Sequence, residues 1–442
     1  MALSGLDIYK LLPKTNCREC GFATCLAFAM QLAKKTVAIQ QCPHLTAEAK
    51  AMLEAASLPP IKLITIGSGE SKLEIGNESV LFRHEEKFHR PTGIGFIIED
   101  SLADNQIQAK LEEINNLKFE RIGQRLEVNL IAIRQNRDKK RFADVVKLVN
   151  DKTSLGLVLM STDIEALKLG LELLKGKNPL VYHATKDNLG QVAQLAKDYK
   201  AVLVVFGQDL ETVSELTTQL NSLGASDLVI ETGNKPIADK IWDLTQIRRL
   251  ALKKSNRSLG YPALVVVDQD DPFEEIQEAA SYITKYAGIV LIKGTESWQI
   301  LSLLTLRQNI YTDPQKPLQI EPKLYSVGQV NSKSPVLITT NFSLSYFTVL
   351  GEVETSKIPA YIISVDTEGM SVLTAWAAEK FTPSKITESI QKFKVKDVVS
   401  HKQLIIPGYV AVMSGELQDE SGFKVIVGPK EAAGIPSFLK NL

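Results

Sequence analysis

The chain of 442 residues is long enough for two or three domains, each with its own hydrophobic core. Its 44% hydrophobic and 23% charged residues are typical of globular proteins, and the balance of 51 basic against 51 acidic residues argues against a nucleic-acid-binding protein. No apolar stretch approaches membrane-spanning length, and the first residues lack a basic segment followed by an apolar one, so we expect a cytoplasmic protein that makes no membrane contact.

All four cysteines of the chain lie in one short segment, with the spacing Cys17-x2-Cys20-x4-Cys25-x16-Cys42. The sequence around them predicts short helices. The helix in "LSGLDIYKLLP" should end at Pro13, a small apolar helix should follow Cys25, and Thr46 should cap "AEAKAMLEAASL". We therefore predict a small helical domain over residues 1–59 that is held together by a metal centre.

Clustered cysteines in a reducing compartment more often bind metal or do redox chemistry than form disulfides. Structural zinc sites typically use two close cysteine pairs, and only Cys17 and Cys20 form such a pair here. Three close cysteines with a distant fourth are typical of iron–sulfur sites, and Gly21 and Pro43 suit a chain that curls around a cluster. We favour an electron-transferring [4Fe–4S] cluster held by the four cysteines over zinc or buried structural thiols, and we interpret His44 as a polar neighbour.

Residues 60–92 are predicted to form a linker that contains a β-hairpin, because apolar residues alternate loosely in "KLITIG" and in "SVLFRHEEKF". His84 and His89 flank acidic residues in the second of these stretches. A metal site is one interpretation of this pattern, and we prefer to interpret both residues as exposed histidines of the hairpin.

Short apolar runs alternate with amphipathic helical stretches through the predicted third domain, residues 93–325. The runs are "GIGFIIED", "VNLIAIR", "LGLVLMS", "PLVYHAT", "AVLVVFG", "DLVIET", "PALVVVD" and "GIVLIKG". Strands that are apolar on both faces and joined by helices form buried parallel sheets, and eight such units predict a (β/α)8 TIM-type barrel. A doubly wound parallel sheet is the alternative.

Polar residues follow these predicted strands, at the end of a TIM-type barrel where active sites lie. They are Glu99, Asp100, Arg134, Ser161, His183, Glu231, Asp268 and Lys293. The set mixes charges without a recognisable catalytic pair. Docking of a partner subunit or domain is therefore at least as good an interpretation as a catalytic pocket.

A second α/β domain is predicted over residues 326–442, after the Pro- and Lys-rich linker "DPQKPLQIEPKLYSVG". The stretches "SPVLITTN", "AYIISVDTEG", "QLIIPGYV" and "FKVIVGP" are predicted strands separated by helices, which indicate a small open Rossmann-like domain. Its candidate ligand loops are Thr339-Thr340-Asn341, Glu368-Gly369-Met370-Ser371, Pro407-Gly408 and Gly428-Pro429. No dinucleotide or phosphate-loop motif is present, and small polar loops suit a broad planar ligand, with ordinary turns as the alternative.

The cysteine spacing, the barrel and the terminal domain together resemble the large (gamma) subunits of the corrinoid iron–sulfur protein of the anaerobic acetyl-CoA (Wood–Ljungdahl) pathway. The resemblance spans the whole chain and is most specific in "LLPKTNCRECGFATCLAFAMQLAKK" and "VDTEGMSVLTAWAAEKF". It implies a methyl carrier, the corrinoid component of a methyl-transfer system. Its cobalt would take a methyl group from methyltetrahydrofolate, with a methyltransferase assisting, and deliver it to acetyl-CoA synthase, while the [4Fe–4S] cluster returns inactive Co(II) to Co(I).

The resemblance also implies a set of protein partners. They are a small barrel subunit that completes a heterodimer, methyltetrahydrofolate methyltransferase, acetyl-CoA synthase/CO dehydrogenase and a reductive activator. A cobalt corrinoid (cobamide) held base-off, without a protein histidine on the cobalt, is implied as well. The five histidines of the chain agree with this expectation, because none of them stands in a D-x-H-x-x-G motif.

By position, the resemblance places Thr374 opposite the cobalt and Ser371 and Val372 against the lower face of the corrin. The other implied corrinoid contacts are Thr340, Gly369, Met370, Leu373, Gly408 and Ala433. On the residues alone, Thr374 has the alternative interpretation of an ordinary helix residue after a Ser371 cap. Two other functions also stay open on the residues alone, an iron–sulfur-dependent barrel reductase and a zinc-stabilised scaffold.

Overall fold

The computed structural model describes three stretches of the chain, residues 5–34, 36–57 and 59–442. Its contacts divide the chain into two compact units, each of which combines two segments. The segments are Met1–Phe119 with Glu127–Tyr311 in the first unit, and Glu120–Leu126 with Thr312–Leu442 in the second. The four domain ranges predicted above remain predictions. Among the described residues, no helix has both the length and the apolarity that crossing a membrane requires.

Short helices form the N-terminal part of the first unit. They are α1 (Gly5–Leu11), α2 (Cys25–Ala33), a 3-10 turn (Ile39–Gln41) and α3 (Ala47–Ser57). α1 ends before Pro13, and Thr46 Oγ1 accepts a hydrogen bond from Ala49 N at 3.1 Å, so both predicted boundaries are confirmed. The predicted helix limits at Leu3 and Leu58 lie outside the described residues. The buried side chains share a small apolar core that contains Ile8, Cys25, Phe28, Cys42 and Leu53.

A short hairpin follows these helices. β1 (Ile64–Ile66) and β2 (Leu73–Ile75) pair antiparallel, which confirms the strand predicted in "KLITIG". The strand predicted in "SVLFRHEEKF" is wrong, because this stretch consists of turns and irregular backbone. A charged side chain explains the difference: Glu78 Oε1 accepts hydrogen bonds from the backbone N–H groups of His89 and Arg90, both at 2.9 Å, and so holds the segment in a loop.

Strands and helices alternate from residue 93 to residue 311. In chain order these are β3 (Gly93–Glu99), α4 (Asp104–Asn115), β4 (Lys118–Arg121), β5 (Gln124–Glu127), β6 (Leu130–Arg134), α5 (Lys139–Lys152), β7 (Gly156–Met160), α6 (Ile164–Leu173), β8 (Leu180–Ala184), α7 (Leu189–Tyr199), β9 (Val202–Phe206), α8 (Leu210–Ser222), β10 (Leu228–Glu231), α9 (Ile237–Lys254), β11 (Ala263–Val266), α10 (Pro272–Thr284), β12 (Ala287–Ile292) and α11 (Ser297–Tyr311). Side chains cap several of the helices, as Asp138 does for α5 and Asp163 for α6.

β3 and β6 to β12 form a closed parallel barrel in chain order. All eight predicted strands are confirmed, and the doubly wound alternative is excluded because β12 pairs with β3, from Ile289 opposite Gly93 to Ile292 opposite Phe96. Aliphatic side chains from all eight strands share one buried cluster. The interior of the barrel is therefore a packed core rather than a channel.

The β1–β2 hairpin closes the N-terminal end of this barrel. Ile64, Ile66, Leu73 and Ile75 belong to the same buried cluster as the barrel strands. The backbone N–H of Gly67 donates to the carbonyl of Asn178, just before β8, at 2.9 Å. Within the segment predicted as a linker, the β1–β2 hairpin therefore packs into the barrel's core.

A buried arginine ties the loop after this hairpin to α9. Arg248 donates to Glu78 Oε2 at 3.2 Å and to the carbonyl oxygen of Val80 at 2.6 Å. Its guanidinium carbon lies 4.6 Å from the ring centroids of both Phe88 and Tyr286. Both members of the Arg248–Glu78 ion pair are buried, so neither charge is solvated by water.

β4 and β5 form a separate two-stranded hairpin, which the sequence pattern did not predict. The stretch "KFERIGQRLE" alternates charged and apolar residues and lacks the continuous apolar run that marked the barrel strands. Gly123, with φ +67°, allows the tight turn between the two strands.

The second unit contains the remaining strands and helices. They are β13 (Leu324–Val327), β14 (Val336–Thr340), α12 (Ser343–Ser356), β15 (Ala360–Val365), α13 (Val372–Ala377), α14 (Pro383–Lys392), α15 (Val395–Val398), β16 (Gln403–Ile406), a 3-10 stretch (Gly408–Met413), α16 (Ser414–Ser421), β17 (Lys424–Val427), a 3-10 turn (Ala432–Gly434) and α17 (Ile435–Lys440).

These strands form one five-stranded sheet in the order β13-β15-β14-β16-β17. β14, β15, β16 and β17 are parallel and correspond to the four predicted strands, whereas β13 runs antiparallel at the edge. β13 lies within the stretch predicted as a linker. The strand was not predicted because Pro and Lys residues surround "LYSV" and because an edge strand pairs along only one side. Helices cover both faces of the sheet, over separate apolar clusters.

Candidate functional site

The loop between α1 and α2 carries Cys17 and Cys20 in an unusual backbone conformation. Lys14, Asn16, Arg18 and Gly21 have φ angles of 58°, 49°, 66° and 84°. Left-handed conformations at three residues other than glycine are costly, and they cluster where a loop must present several groups toward one point. The backbone of this loop therefore curls instead of running in an extended conformation.

Cys25 anchors this loop at the start of α2. Asn16 Oδ1 accepts a hydrogen bond from Cys25 N at 2.8 Å, and Asn16 N donates to Cys25 Sγ at 3.4 Å. Thr24 caps the helix by accepting from Ala27 N at 3.1 Å. Cys25 is therefore held at the N-terminus of α2 by its hydrogen bonds with Asn16.

Cys42 approaches the same region from the 3-10 turn. Burial raises the pKa of the Cys42 thiol, the backbone N–H of His44 lowers it, and the negative charges of Cys20, Cys25 and Cys17 raise it further. Cys42 therefore lies near enough to the other three cysteines for their charges to act on its thiol. Cys25 and Cys42 are buried, Cys20 is half-buried and Cys17 is exposed.

This donor set fits a thiolate-bound cluster better than a single zinc ion. Tetrahedral zinc with bonds of about 2.3 Å places its sulfur ligands about 3.8 Å apart. Among the described residues, the ligand atoms that come mutually within 4.8 Å are those of Cys17, Glu19 and His44, so the four sulfurs are spaced more widely than one ion requires. An iron–sulfur cluster, which binds each sulfur through a different iron, accommodates the wider spacing.

His44 has a partner of its own beside the cysteines. Its Nε2 lies 3.1 Å from Glu19 Oε2, and both side chains are substantially exposed. The histidine is therefore engaged by a carboxylate at the rim of the cysteine loop. Its interpretation as a polar neighbour rather than a ligand stays a prediction, which we test below.

The charged residues at the C-terminal ends of the barrel strands are paired with one another. Arg134 lies 3.7 Å from Glu99 and 3.3 Å from Asp268, and Lys293 pairs with Asp268. Burial opposes ionisation of Asp268, but Lys293 and Arg134 outweigh it and hold the pKa of this carboxyl below its usual value. Mutual neutralisation leaves these side chains without an evident catalytic pair.

Asp100, Ser161 and Glu231 have structural partners as well, whereas His183 Nδ1 is buried without a hydrogen-bond partner among the described residues. The buried Asp100 carboxylate accepts from the backbone N–H groups of Asn136 and Arg137, and Ser161 Oγ accepts from Asp163 N. Burial raises the pKa of Glu231, whose Oε1 accepts from Lys240 Nζ at 2.6 Å. Burial lowers the pKa of His183. We assign no chemistry to this end of the barrel.

In the second unit, the loops that follow the parallel strands surround an apolar cleft of about 320 Å³. Such crevices beyond the C-terminal ends of parallel strands are the usual ligand sites of open α/β sheets. The cleft is lined from three directions, by Phe342, Leu344 and Thr348 near the start of α12, by Ser371 and Val372 at the start of α13, and by Pro407, Tyr409 and Pro429.

The structure places only part of the predicted corrinoid-contacting set at this cleft. Ser371 and Val372 line it. Thr340, Gly369 and Gly408 are buried next to it, Met370 is half-buried, and the rest are exposed on the same side of the sheet: Leu373, Thr374 and Ala433. Thr374 Oγ1 lies 2.9 Å from Ser371 Oγ.

Two glycines in this set are required by close packing. A Cβ at Gly408 would lie 2.6 Å from the carbonyl oxygen of Gly428 and 2.8 Å from the backbone nitrogen of Lys430. Gly369 has φ +75°, and a Cβ there would lie 2.6 Å from Gln319 Cγ. Both positions therefore shape the strand-end loops through close contacts that a larger residue would disrupt.

Sequence reasoning missed several residues around the cleft. Leu344, Tyr409 and Phe342 line it, and Asn341 holds the neighbouring loop. The signal that could have found the first two is their position, since each is a large apolar or aromatic residue within four positions of a predicted strand end. Asn341 stood within a predicted ligand loop but was not selected.

Two family models match this chain. The family model for the CO dehydrogenase/acetyl-CoA synthase delta subunit matches residues 63–439, and a model for an Fe-S cluster matches residues 12–44. The corrinoid/iron-sulfur protein large subunit of Moorella thermoacetica is 44% identical over 441 residues, which cover 100% of this chain and 99% of that protein. The acetyl-CoA decarbonylase/synthase complex subunit gamma of Methanothermobacter thermautotrophicus is 37% identical, with 100% and 99% of the two chains covered.

Among solved structures, dihydropteroate synthase from Thermus thermophilus aligns with 57% of this chain and 100% of its own chain, at 12% identity and a TM-score of 0.39. This likeness is too distant to carry an argument.

Proposed function

Because the chain belongs to the family of corrinoid/iron–sulfur protein large subunits, we propose that it is a methyl carrier within an acetyl-CoA synthase system. In this proposal a bound cobalt corrinoid accepts a methyl group from methyltetrahydrofolate, with a methyltransferase assisting, and gives it to acetyl-CoA synthase. A [4Fe–4S] cluster in the same chain serves reductive reactivation. Four free cysteines suit a reducing compartment, and we propose that the protein works in the cytoplasm.

The observation that carries the proposal is the grouping of the four cysteines around one small core, with Cys17 and Cys20 on the curled loop, Cys25 at the start of α2 and Cys42 after the 3-10 turn. A chain with four cysteines that gathers all of them at one point is suited to a single thiolate-bound centre. Ile8, Phe28 and Leu53 pack beside the two buried thiols and limit the access of water. An apolar surround of this kind tunes the redox potential of a cluster.

The C-terminal edge of the second unit supports the corrinoid part of the proposal. Several large side chains in the first turns after three parallel strands are exposed instead of buried, namely Leu344, Leu373, Trp376, Tyr409 and Val412. Exposed apolar residues concentrated at one edge indicate that something covers them. A broad macrocycle is a ligand of the right size and polarity for such an edge.

Residues of this chain would bind the corrinoid and would determine which side chains can reach the cobalt. When bound, the corrinoid would supply a cobalt nucleophile for methyl transfer, and the cluster would supply the electron for its reactivation. Ser371, Val372 and the backbone around Gly408 would hold the macrocycle. His401 lies before β16, at the opposite edge of the sheet, where its Nε2 is 2.9 Å from the carbonyl oxygen of Ser334. The histidine of this unit is therefore remote from the proposed site, which supports a cobalt without a protein imidazole.

We further propose the partners that this cycle needs. They are a small barrel subunit that pairs with this chain, the methyltetrahydrofolate methyltransferase, acetyl-CoA synthase/CO dehydrogenase and a reductive activator. We propose that the exposed apolar side chains described above are covered by the macrocycle and by this small subunit.

Anaerobic isolation followed by measurement of iron, cobalt, zinc and sulfide per chain tests the proposed function. We expect iron and sulfide in the ratio of one [4Fe–4S] cluster, together with cobalt and a corrinoid absorption spectrum that changes on reduction and methylation. Zinc without iron or cobalt would support a structural scaffold instead. Iron without cobalt, combined with reductase turnover that depends on His183 or Glu231, would support a barrel enzyme.

Replacing Thr374 with valine is expected to change the cobalt absorption spectrum or methylation rate while changing the free energy of unfolding by less than about 0.5 kcal/mol. Thr374 is exposed and its hydroxyl contacts only Ser371 Oγ among the contacts that the described residues show, so little folding energy depends on it. Thr355→Val on α12 is the matched control, because Thr355 is also an exposed helix residue of this unit. Equal spectra and rates for the two variants would contradict the placement of Thr374 opposite the cobalt.

A further inference from the structure

Asn341 lies at the C-terminal edge of the sheet in the second unit, which is the edge of the proposed ligand site, and its side-chain amide makes several hydrogen bonds. It follows β14 directly, and it is only 1% exposed. Its Oδ1 accepts three hydrogen bonds, from Thr367 N at 2.9 Å, Thr367 Oγ1 at 3.0 Å and Gly369 N at 3.0 Å. Its Nδ2 donates to Gln319 Oε1 and to Asp366 Oδ1, both at 3.2 Å. The amide therefore uses both its oxygen and its nitrogen.

These bonds join segments that are distant in sequence. Asn341 N donates to the carbonyl oxygen of Val365 at 2.8 Å, and the carbonyl oxygen of Asn341 accepts from Ile320 N at 3.0 Å. One residue thus connects the end of β14, the loop that follows β15 and the strand-like segment at Gln319. Because β14 and β15 are parallel neighbours, all of these contacts lie at the C-terminal edge of the sheet.

The loop after β15 needs such support. Glu368 has φ +56° and Gly369 has φ +75°, so two successive residues adopt the left-handed conformation. The loop ends at Ser371, the N-cap position of α13, and Ser371 and Val372 line the cleft. The direction in which these two side chains point therefore depends on the conformation of residues 366–370.

Only an uncharged amide satisfies all of these partners. An aspartate at this position would keep an oxygen for Thr367 and Gly369, but its second oxygen would face the carboxylate of Asp366 where the amide now donates. Asp366 is exposed and position 341 is buried, and a like charge on each would disfavour the geometry that brings the two groups together. The pattern of donors and acceptors thus identifies asparagine as the residue that this loop requires.

We propose that Asn341 is a positioning residue for the ligand site: it fixes the loop of residues 366–370 so that Ser371 and Val372 meet the ligand. This inference rests on the proposed function, since it takes a corrinoid as the ligand of this edge. Asn341 does not itself line the cleft, so it acts through the loop rather than by contact.

The test compares the full-length chain with the variants Asn341→Asp, Asp366→Asn and the double variant N341D/D366N. Each is isolated without corrinoid and titrated with hydroxocobalamin, and amide hydrogen exchange is followed at Thr367 and Gly369. We expect N341D to bind hydroxocobalamin about tenfold more weakly and to exchange these amides faster. D366N should bind like the parent chain, because the substituted side chain retains an oxygen that can accept from the amide of Asn341.

The double variant distinguishes a loss of loop positioning from a general loss of folding. In N341D/D366N the amide of residue 366 can donate to the carboxylate of residue 341, although the acceptor for Glu368 N is lost, so we expect affinity and exchange rates to return partly toward the parent values. If N341D fails to fold, as judged from exchange in β14 and β15, recovery of binding in the double variant still supports the proposal. Failure of the double variant to recover would overturn it.

A matched control keeps this result specific to the ligand edge. Asn331→Asp changes an asparagine of the same unit whose Oδ1 accepts from Lys333 N in the turn before β14, at the other edge of the sheet. We expect N331D to bind hydroxocobalamin with the parent affinity. Parent-like binding by N341D despite fast loop exchange would refute the positioning role alone, whereas no binding by the parent chain would refute the proposed function itself.

Discussion

A chain with serine in place of Cys20 is expected to lose the proposed iron–sulfur cluster and, with it, the proposed reductive reactivation of cobalt. Cys20 is half-buried at the margin of the small helical core, so its replacement removes one ligand without opening a large cavity. Three remaining thiolates leave one iron of a cubane without its protein ligand, and the cluster becomes labile. Metal binding and local folding are coupled, so the helices around the site should also lose protection from hydrogen exchange.

Iron and sulfide content, electron paramagnetic resonance of the reduced protein and the rate of reactivation of oxidised cobalt are the measurements. Methyl transfer from protein that was reduced beforehand should continue in the Cys20→Ser variant, because the corrinoid edge belongs to the other unit. The matched control is His44→Asn, which removes the imidazole beside Glu19 but leaves four thiols. Loss of iron in the control would show that His44 is a ligand, and normal reactivation in Cys20→Ser would remove the role proposed for the cluster.

Replacing Arg248 with methionine is expected to destabilise the first unit by about 3–5 kcal/mol. The variant leaves the Glu78 carboxylate buried without its counter-ion, and it removes the two hydrogen bonds that Arg248 donates to the carbonyl of Val80. It also removes the guanidinium from its position between the rings of Phe88 and Tyr286. The loop after the β1–β2 hairpin would lose its attachment to α9.

Urea unfolding, followed by hydrogen exchange of barrel-strand amides, measures this loss in the first unit alone. Arg249→Met is the control, since Arg249 is the next residue of α9 and its side chain is exposed. We expect the control to change the free energy of unfolding by less than about 0.5 kcal/mol. Equal stability of the two variants would mean that the buried ion pair contributes nothing net, as some hydrophobic replacements of buried pairs show.

The barrel was predictable because its strands are buried on both faces. Continuous apolar runs such as Leu157–Met160 and Val202–Val205 leave little ambiguity when helical stretches separate them, and each of them forms a barrel strand. The cysteine segment was predictable for a different reason. Its information lies in the spacing of one residue type, and a family model for an Fe-S cluster matches the segment that contains all four cysteines, residues 12–44.

What the sequence did not reveal depends on partners that are distant in the chain. β13 is an edge strand that pairs only with β15, and its residues therefore lack the apolar pattern of a buried strand. The stretch after β2 alternates like a strand, but the Glu78 and Glu85 carboxylates bind its backbone N–H groups and fold it into turns. The role of Asn341 could not be predicted, because its hydrogen-bond partners Gln319, Thr367 and Gly369 are distant from it in the sequence.

The corrinoid contacts were predicted from resemblance, and the structure divides that set by exposure. Ser371 and Val372 line the cleft, whereas Thr374 and Leu373 are exposed beside it. The apolar walls at Leu344 and Tyr409 were not predicted, because large apolar residues near a strand end usually indicate core packing. Their exposure is visible only in three dimensions.

The division of the chain has a consequence for its modularity. Residues Glu120–Leu126 belong to the second unit although they are flanked on both sides by the first, and Ile122 packs against an apolar cluster of the β13–β17 sheet. A gene fragment that begins at Thr312 would lack Ile122 and the rest of this segment, so no single uninterrupted stretch of the sequence encodes the whole of the second unit without part of the first.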